Sequence, residues 1–194
     1  MTLLSWMLSN IECVCLLSAV IGDLCCQILI FAGTKRTVSM ICNELVRFGV
    51  RCVESHGDLS QAKRERALEN FQGRSNVMAA TDVAARGLDV RNINLVINFD
   101  FPQTVEDYVH RIGRTGRSGC KGEAITFFTR NNESFARGLI NVLTQAGQEV
   151  PEELRRIEHN SSHHEQSFRR KIESKKTFNR MNVSSDWRRA ARVR

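Results

Sequence analysis

The run Tyr108-Val109-His110-Arg111-Ile112-Gly113-Arg114-Thr115-Gly116-Arg117 concentrates more reactive chemistry than any other stretch of the chain. Three arginines fall at every third position, with Gly113 and Gly116 placed to interrupt a helix. Glycines let the backbone turn, and the guanidinium forks can then face a common point. Facing guanidiniums repel unless an anion lies between them, and a planar fork matches phosphate oxygens in a bidentate way. A basic helix end, whose cations complement the helix dipole, is the plainer alternative. It accounts for one arginine, not for three with paired glycines.

A second stretch, Thr81-Asp82-Val83-Ala84-Ala85-Arg86-Gly87-Leu88-Asp89, follows an apolar run directly. Its small residues permit close backbone approach. Thr81 offers a hydroxyl and an amide, and Asp89 an acceptor suited to a sugar hydroxyl. The competing reading is a tight loop in which Asp82 and Asp89 satisfy nearby backbone donors.

The elements that must hold these groups can be read from periodicity. Short apolar runs at residues 27–32, 50–53, 76–80, 94–99 and 122–128 are the kind seen in strands buried on both faces. Between them lie helical patterns: one opening at Thr34 and stopping at Gly49, one capped by Ser60 and ending at Gly73, one opening at Thr104 with Asp107 in capping-box spacing, and one over residues 133–145. Strands alternating with helices predict an α/β domain, a mostly parallel sheet with helices on both faces. In such sheets ligands bind beyond the carboxyl ends of the strands, where the second stretch falls; the arginine run lies just before the last strand.

With 194 residues and 42% hydrophobic content the chain can build one sizeable core, and two prolines exclude a proline-rich class. Its net charge of +7 is unevenly placed. Residues 155–194 hold 12 basic and 4 acidic side chains, so the remainder holds 16 and 17. A neutral body with a basic tail implies a polyanionic partner, nucleic acid before membrane. The division expected is an apolar helical segment at 1–26, a folded domain at 27–150 and a basic tail at 151–194. Glu12 interrupts the apolar segment, leaving less than the ~20 residues a membrane span needs, so no membrane partner is expected. Seven cysteines without a C-x-x-C spacing read as reduced thiols, with no metal site.

Taken together these segments resemble the second RecA-like domain, the helicase C-terminal half, of a DEAD-box RNA helicase. Residues 28–35 (ILIFAGTK) resemble motif IV, Gln61 to Arg64 the Q-x-x-R of motif IVa, Thr81 to Asp89 motif V, and His110 to Arg117 the H-R-x-G-R-x-x-R of motif VI. Ala32-Gly33 departs from the commoner residues before the threonine of motif IV. The resemblance, which spans about residues 27–148, implies a P-loop NTPase-like, RecA-like fold acting on ATP with Mg2+. It assigns Arg114 and Arg117 as arginine fingers, Gly87, Asp89 and Arg111 as ATP-binding, and His110 to the interdomain surface. Thr34, Gln61, Arg64 and Thr81 would bind RNA through its sugar-phosphate backbone, without sequence preference.

The G-x-x-x-x-G-K-[ST] loop, the D-E-A-D box and the S-A-T segment of the family's first domain do not occur in these 194 residues. The chain is therefore expected to need a first RecA-like domain, in cis or in trans, and to be inactive alone. A non-catalytic RNA-binding module is the second reading, and a DNA helicase domain of similar fold the third. The expected location is nuclear or cytoplasmic, since the tail's Arg169-Arg170-Lys171 and Lys175-Lys176 suit nuclear import and RNA affinity equally.

Overall fold

The computed structural model describes residues 2–5, 21, 26–85, 93–116 and 121–160. Within them the elements run β1 (Thr2–Ser5), β2 (Gln27–Phe31), α1 (Lys35–Arg47), β3 (Cys52–Ser55), α2 (Gln61–Gly73), β4 (Val77–Ala80), α3 (Asp82–Ala85), β5 (Ile93–Asn98), α4 (Val105–Ile112), β6 (Glu123–Phe128), a 3-10 turn (Arg130–Phe135) and α5 (Ala136–Gln145). The strands form one parallel six-stranded sheet in the order β1-β6-β5-β2-β4-β3. This is the parallel, helix-covered architecture expected from the alternating pattern.

The central strands are apolar throughout because both of their faces are covered. Along β2, Ile28 and Ile30 enter the core beneath α1, while Leu29 and Phe31 enter the opposite core with Ala67 and Phe71 of α2. Helix α1 sends Val38, Ile41, Cys42 and Leu45 inward, the i, i+3, i+4, i+7 stripe of an amphipathic helix. On β5 the register against β2 shifts between Gln27 and Ile28, which inserts Asn94 as an extra residue. That bulge puts Ile93 on the α2 side and Leu95 on the α1 side. A third cluster packs Phe101, Tyr108 and Phe128 against Leu139 and Leu143 of α5.

Element boundaries differ from the sequence reading in instructive ways. The strand expected from Val50 begins instead at Cys52, because the end of α1 claims the chain through Val50. Gly49, at φ +79°, donates to Val46, and Val50 donates to Leu45, a Schellman-type closure. The first turn of the last predicted helix is a 3-10 turn, in which the Asn132 carboxamide accepts from the Thr129 backbone and hydroxyl. At the start of the chain, Thr2–Ser5 is a strand parallel to β6, not a helix. A short apolar run cannot be told from a helix by periodicity alone, and pairing here satisfies the edge of β6. The rest of 1–26 lies outside the described residues, except Ile21, which is buried in the α1-side core, and Cys26.

The tail also starts later than position 151. Residues 152–160 are helical, and Leu154 and Ile157 complete the third core cluster. Their spacing of three is a helical signal that the surrounding charge obscures. Residues 161–194 lie outside the described region.

Candidate functional site

The carboxyl ends of β2, β4 and β5 meet at one rim. Helix α4 reaches it because Thr104 caps its first turn: the hydroxyl accepts from the Asp107 backbone N–H at 3.0 Å and donates to the Asp107 carboxylate at 2.9 Å. The predicted cap is thus present, with Asp107 gripping the Thr104 hydroxyl rather than its backbone. Two turns later Arg111 arrives over the strand ends.

Arg111 is 3% exposed, and its guanidinium is almost fully occupied. Nε and Nη2 donate to the two carboxylate oxygens of Asp82 at 2.6 Å each, while Nη1 donates to the Asp100 carbonyl at 2.7 Å and to Asn98 Oδ1 at 3.3 Å. Its Cζ sits 5.0 Å from the ring centroid of Phe31. Arg111 is therefore paired within the protein, while Arg114 stands at a notch that Arg111 also lines. Arg111, expected to bind nucleotide, turns inward and ties the stretch beginning at Thr81 to helix α4. Asp82 serves a partner 29 residues away, not the local backbone donors of the alternative reading.

The polar chain continues behind it. Asn98 donates through Nδ2 to Thr126 Oγ1 at 3.0 Å in the buried sheet. Tyr108 also bonds Thr126; burial pushes the Tyr108 phenol up to about 12 while that hydrogen bond pulls it back. A run of buried polar groups thus links β6, β5 and α4 to the rim. Asp100 contributes from its side chain as well, accepting from the Gly33 backbone N–H at 2.7 Å and so fixing the turn after β2.

In front of Arg111 lies a notch of about 70 Å³, lined by Phe31, Asp82, Ala85, Asp107, His110, Arg111 and Arg114. His110 is exposed and Arg114 half-buried at its wall. Pockets that enclose a small molecule run to roughly 300–1,000 Å³. Formed by the described residues, this notch holds part of a ligand at most. Gly87, Asp89 and Arg117 lie outside the described residues.

The loop after α4 is pinned to the sheet. Thr115 Oγ1 donates toward the Ile93 carbonyl at 2.6 Å and the Asn94 carbonyl at 2.9 Å, so the bulge on β5 serves as its anchor. Of the paired glycines, Gly113 has an ordinary φ of −67°, and the turn is made by Gly116 at +68°. Gly122 packs so closely that a Cβ there would collide with the Gly116 backbone nitrogen and Thr115 Oγ1. Gly122→Ala should accordingly cost roughly 1–3 kcal/mol by overpacking and displace this loop, read as a lower melting temperature. An unchanged melting temperature would show that the loop does not press on Gly122.

The remaining candidates sit at the ends of β2, β4 and β3, and none lines the notch. Thr34 caps α1, its hydroxyl accepting from the Thr37 N–H at 3.1 Å. Thr81 follows β4, its N–H donating to the Ser55 carbonyl at 3.2 Å. Gln61 and Arg64 lie in the first turn of α2, which Ser60 caps at 3.4 Å. Gln61 bonds Glu65 at 2.9 Å, and Arg64 Nε is buried without a hydrogen-bond partner. Lys35 and Asp58 form an ion pair joining the start of α1 to the β3–α2 connection. The Lys35 ammonium, by hydrogen bond and then by charge, holds the Asp58 carboxyl below the usual carboxylate range.

Sequence reasoning missed Asp82 as a long-range partner, Asn98, Asp100 and Thr115. The available signal was Asn98: an amide inside the otherwise apolar NLVINF strand needs a buried partner.

Known proteins resemble this chain in sequence and in fold. The helicase conserved C-terminal domain family matches residues 14–119. Over 129 residues the chain is 54% identical to the DEAD-box ATP-dependent RNA helicase 30 of Arabidopsis thaliana, covering 66% of this chain and 22% of that protein. The chain belongs to the DEAD-box helicases. It is 52% identical over 136 residues to the ATP-dependent RNA helicase p62 of Drosophila melanogaster, covering 70% of this chain and 19% of the relative. The chain thus spans about a fifth of the length of either relative. Among solved structures it resembles the yeast DEAD-box splicing factor Prp28 (TM-score 0.73, 29% identity, 80% of this chain and 36% of that one). It also resembles the C-terminal domain of the DEAD-box protein Dbp5 (TM-score 0.59, 32% identity, 75% and 85%). The RecA-like fold expected from the motifs is therefore the fold observed.

Proposed function

We propose that this chain supplies one half of an RNA-dependent ATPase site, with a first RecA-like domain supplying the other, and that it grips RNA on an adjoining surface. The observation that carries this reading is the shallow notch at the strand ends, where Arg114 and His110 stand beside an Arg111 already paired with Asp82. A notch of that size with the Arg114 guanidinium at its wall suits the phosphate end of a nucleotide held mainly elsewhere.

In this reading Arg114 and Arg117 reach the phosphates, Asp89 accepts from the ribose, Gly87 keeps that approach open, and His110 meets the companion domain. Arg111 acts as a positioning residue for Arg114 rather than as a ligand. The arginine groups fit ATP by their chemistry, since guanidinium forks pair with phosphate oxygens. Mg2+ would be held mainly by the companion domain, which in this reading carries the phosphate-binding loop and acidic box. ATP bound there supplies the phosphoryl group, and this chain's arginines offset the charge that develops on it.

Thr34, Gln61, Arg64 and Thr81 would hold RNA through its backbone, with the basic tail adding affinity without sequence preference. Residues 161–194 carry 10 basic and 3 acidic side chains. Trp187 among them can stack on an unpaired base for roughly 1–3 kcal/mol. The test is a salt titration of affinity for labelled single-stranded RNA. Arg64→Ala should weaken binding at every salt concentration. Deleting residues 161–194 should weaken it most at low salt and flatten the dependence by about 0.7 in slope for each phosphate no longer neutralised. Equal slopes with and without the tail would assign RNA binding to the folded domain alone.

A further inference from the structure

The sulfurs of Cys42 and Cys52 lie 2.7 Å apart, one on α1 and the other on β3. A disulfide bond measures about 2.03–2.05 Å, so bonding these sulfurs requires a movement of well under 1 Å. Both residues belong to one packed unit: Cys42 is 7% exposed within the α1-side core, and Cys52 packs against that same core from the first position of its strand. β3 is the edge strand of the sheet, which leaves Cys52 half-buried rather than enclosed.

We propose that Cys42 and Cys52 form a redox site that closes to an intramolecular disulfide under hydrogen peroxide. The more accessible Cys52 reacts first. Its thiolate attacks one peroxide oxygen, the O–O bond breaks, hydroxide leaves, and Cys52 becomes a sulfenic acid. Cys42 then gives up its proton and attacks the Cys52 sulfur, forming the S–S bond and expelling the sulfenic oxygen as water. Overall two thiols and one peroxide yield one disulfide and two waters, the thiols losing the two electrons that the peroxide gains. The second step is fast because its partner is already in contact. The first is slow, since the hydrogen bond to Cys42 and burial both push the Cys52 thiol up and leave little thiolate. Slow entry and fast closure describe a site that responds to sustained oxidation and avoids sulfinic acid.

The bond would staple α1 to β3. Thr34 and Lys35 stand at the start of α1, and β3 runs into the loop carrying Asp58 and Gln61, so the staple lies beneath the surface assigned to RNA. It closes a loop of about ten residues, for which chain entropy predicts a melting-temperature rise of roughly 5–10 °C.

The experiment uses the full chain. After peroxide treatment, free thiols are blocked with iodoacetamide and the chain is digested with trypsin without reductant. Arg47 and Arg51 separate the two cysteines, so residues 37–47 and 52–63 appear as separate peptides unless cross-linked. The proposal expects the cross-linked pair as the main product for both cysteines, the melting-temperature rise, and reversal of both by dithiothreitol. Cys42→Ser should abolish the cross-link and leave Cys52 as higher oxides. Recovery of both peptides alkylated, or predominant linkage of either cysteine to Cys13, Cys15, Cys25, Cys26 or Cys120, would overturn it.

Discussion

Asp82→Ala should lower stability by about 3 kcal/mol and the melting temperature by about 10 °C, although Asp82 is only partly buried and belongs to a four-residue helix. The reason is what the substitution leaves behind. Arg111 stays charged at any pH a protein tolerates, and it is 3% exposed. Removing the carboxylate leaves that charge in the interior with Asn98 Oδ1, the Asp100 carbonyl and the Phe31 ring as its partners among the described residues. Breaking a buried pair typically costs about 3–5 kcal/mol, and the partial exposure of Asp82 sets this one at the lower end. The double variant Asp82→Ala, Arg111→Met separates charge from shape. Methionine removes the stranded cation, so the double variant should melt above the single one. It should not reach wild type, because Asn98 and Asp100 then lose a donor. Thermal melts by circular dichroism decide the matter. A single variant as stable as wild type would mean that water solvates Arg111 and the clamp is not a clamp.

The larger effect on turnover belongs to Arg114. In a reconstituted two-domain enzyme, Arg114→Ala or Arg117→Ala should reduce RNA-stimulated ATP hydrolysis by about 10³-fold or more while changing RNA affinity less than about twofold. An arginine aimed at a transferring phosphoryl group is worth roughly 10³–10⁵ in rate, because it offsets charge in a site already cleared of water. The separation of effects follows from placement. Arg114 walls the notch in front of Arg111, whereas Thr34, Gln61, Arg64 and Thr81 stand at strand ends outside it. Asp82→Ala should damage turnover too, through loss of the support beneath Arg114, but it would be recognised by its lowered melting temperature. Parallel loss of RNA affinity and turnover in Arg114→Ala would place that side chain on the RNA surface instead.

The sheet was legible because its strands are buried on both faces: runs such as ILIF and VMAA are short, apolar throughout and separated by helical patterns, which together read as a parallel sheet. Helix starts were legible at Thr34, Ser60 and Thr104, where a hydroxyl must take up orphan N–H groups. What escaped was what depends on distant partners. Strand β1 exists because β6 offers it an edge, and nothing in TLLS states that. The helix at 152–160 exists because Leu154 and Ile157 complete a core begun by Phe101 and Tyr108. At the site, spacing placed three arginines together but could not say which would face outward. Arg111 turns inward because α4 brings it over Asp82, and only the packing of α4 on the third core cluster sets that angle.

Whether this chain is half of an ATPase site is decided by RNA-stimulated ATP hydrolysis, measured on the purified chain alone and on the chain mixed with or fused to a first RecA-like domain of a DEAD-box helicase. No turnover is expected from the chain alone, with or without RNA. Turnover is expected in the combination, and Arg114→Ala should abolish it. Hydrolysis that purifies with the chain alone and disappears in its Arg114→Ala variant would contradict the half-site reading.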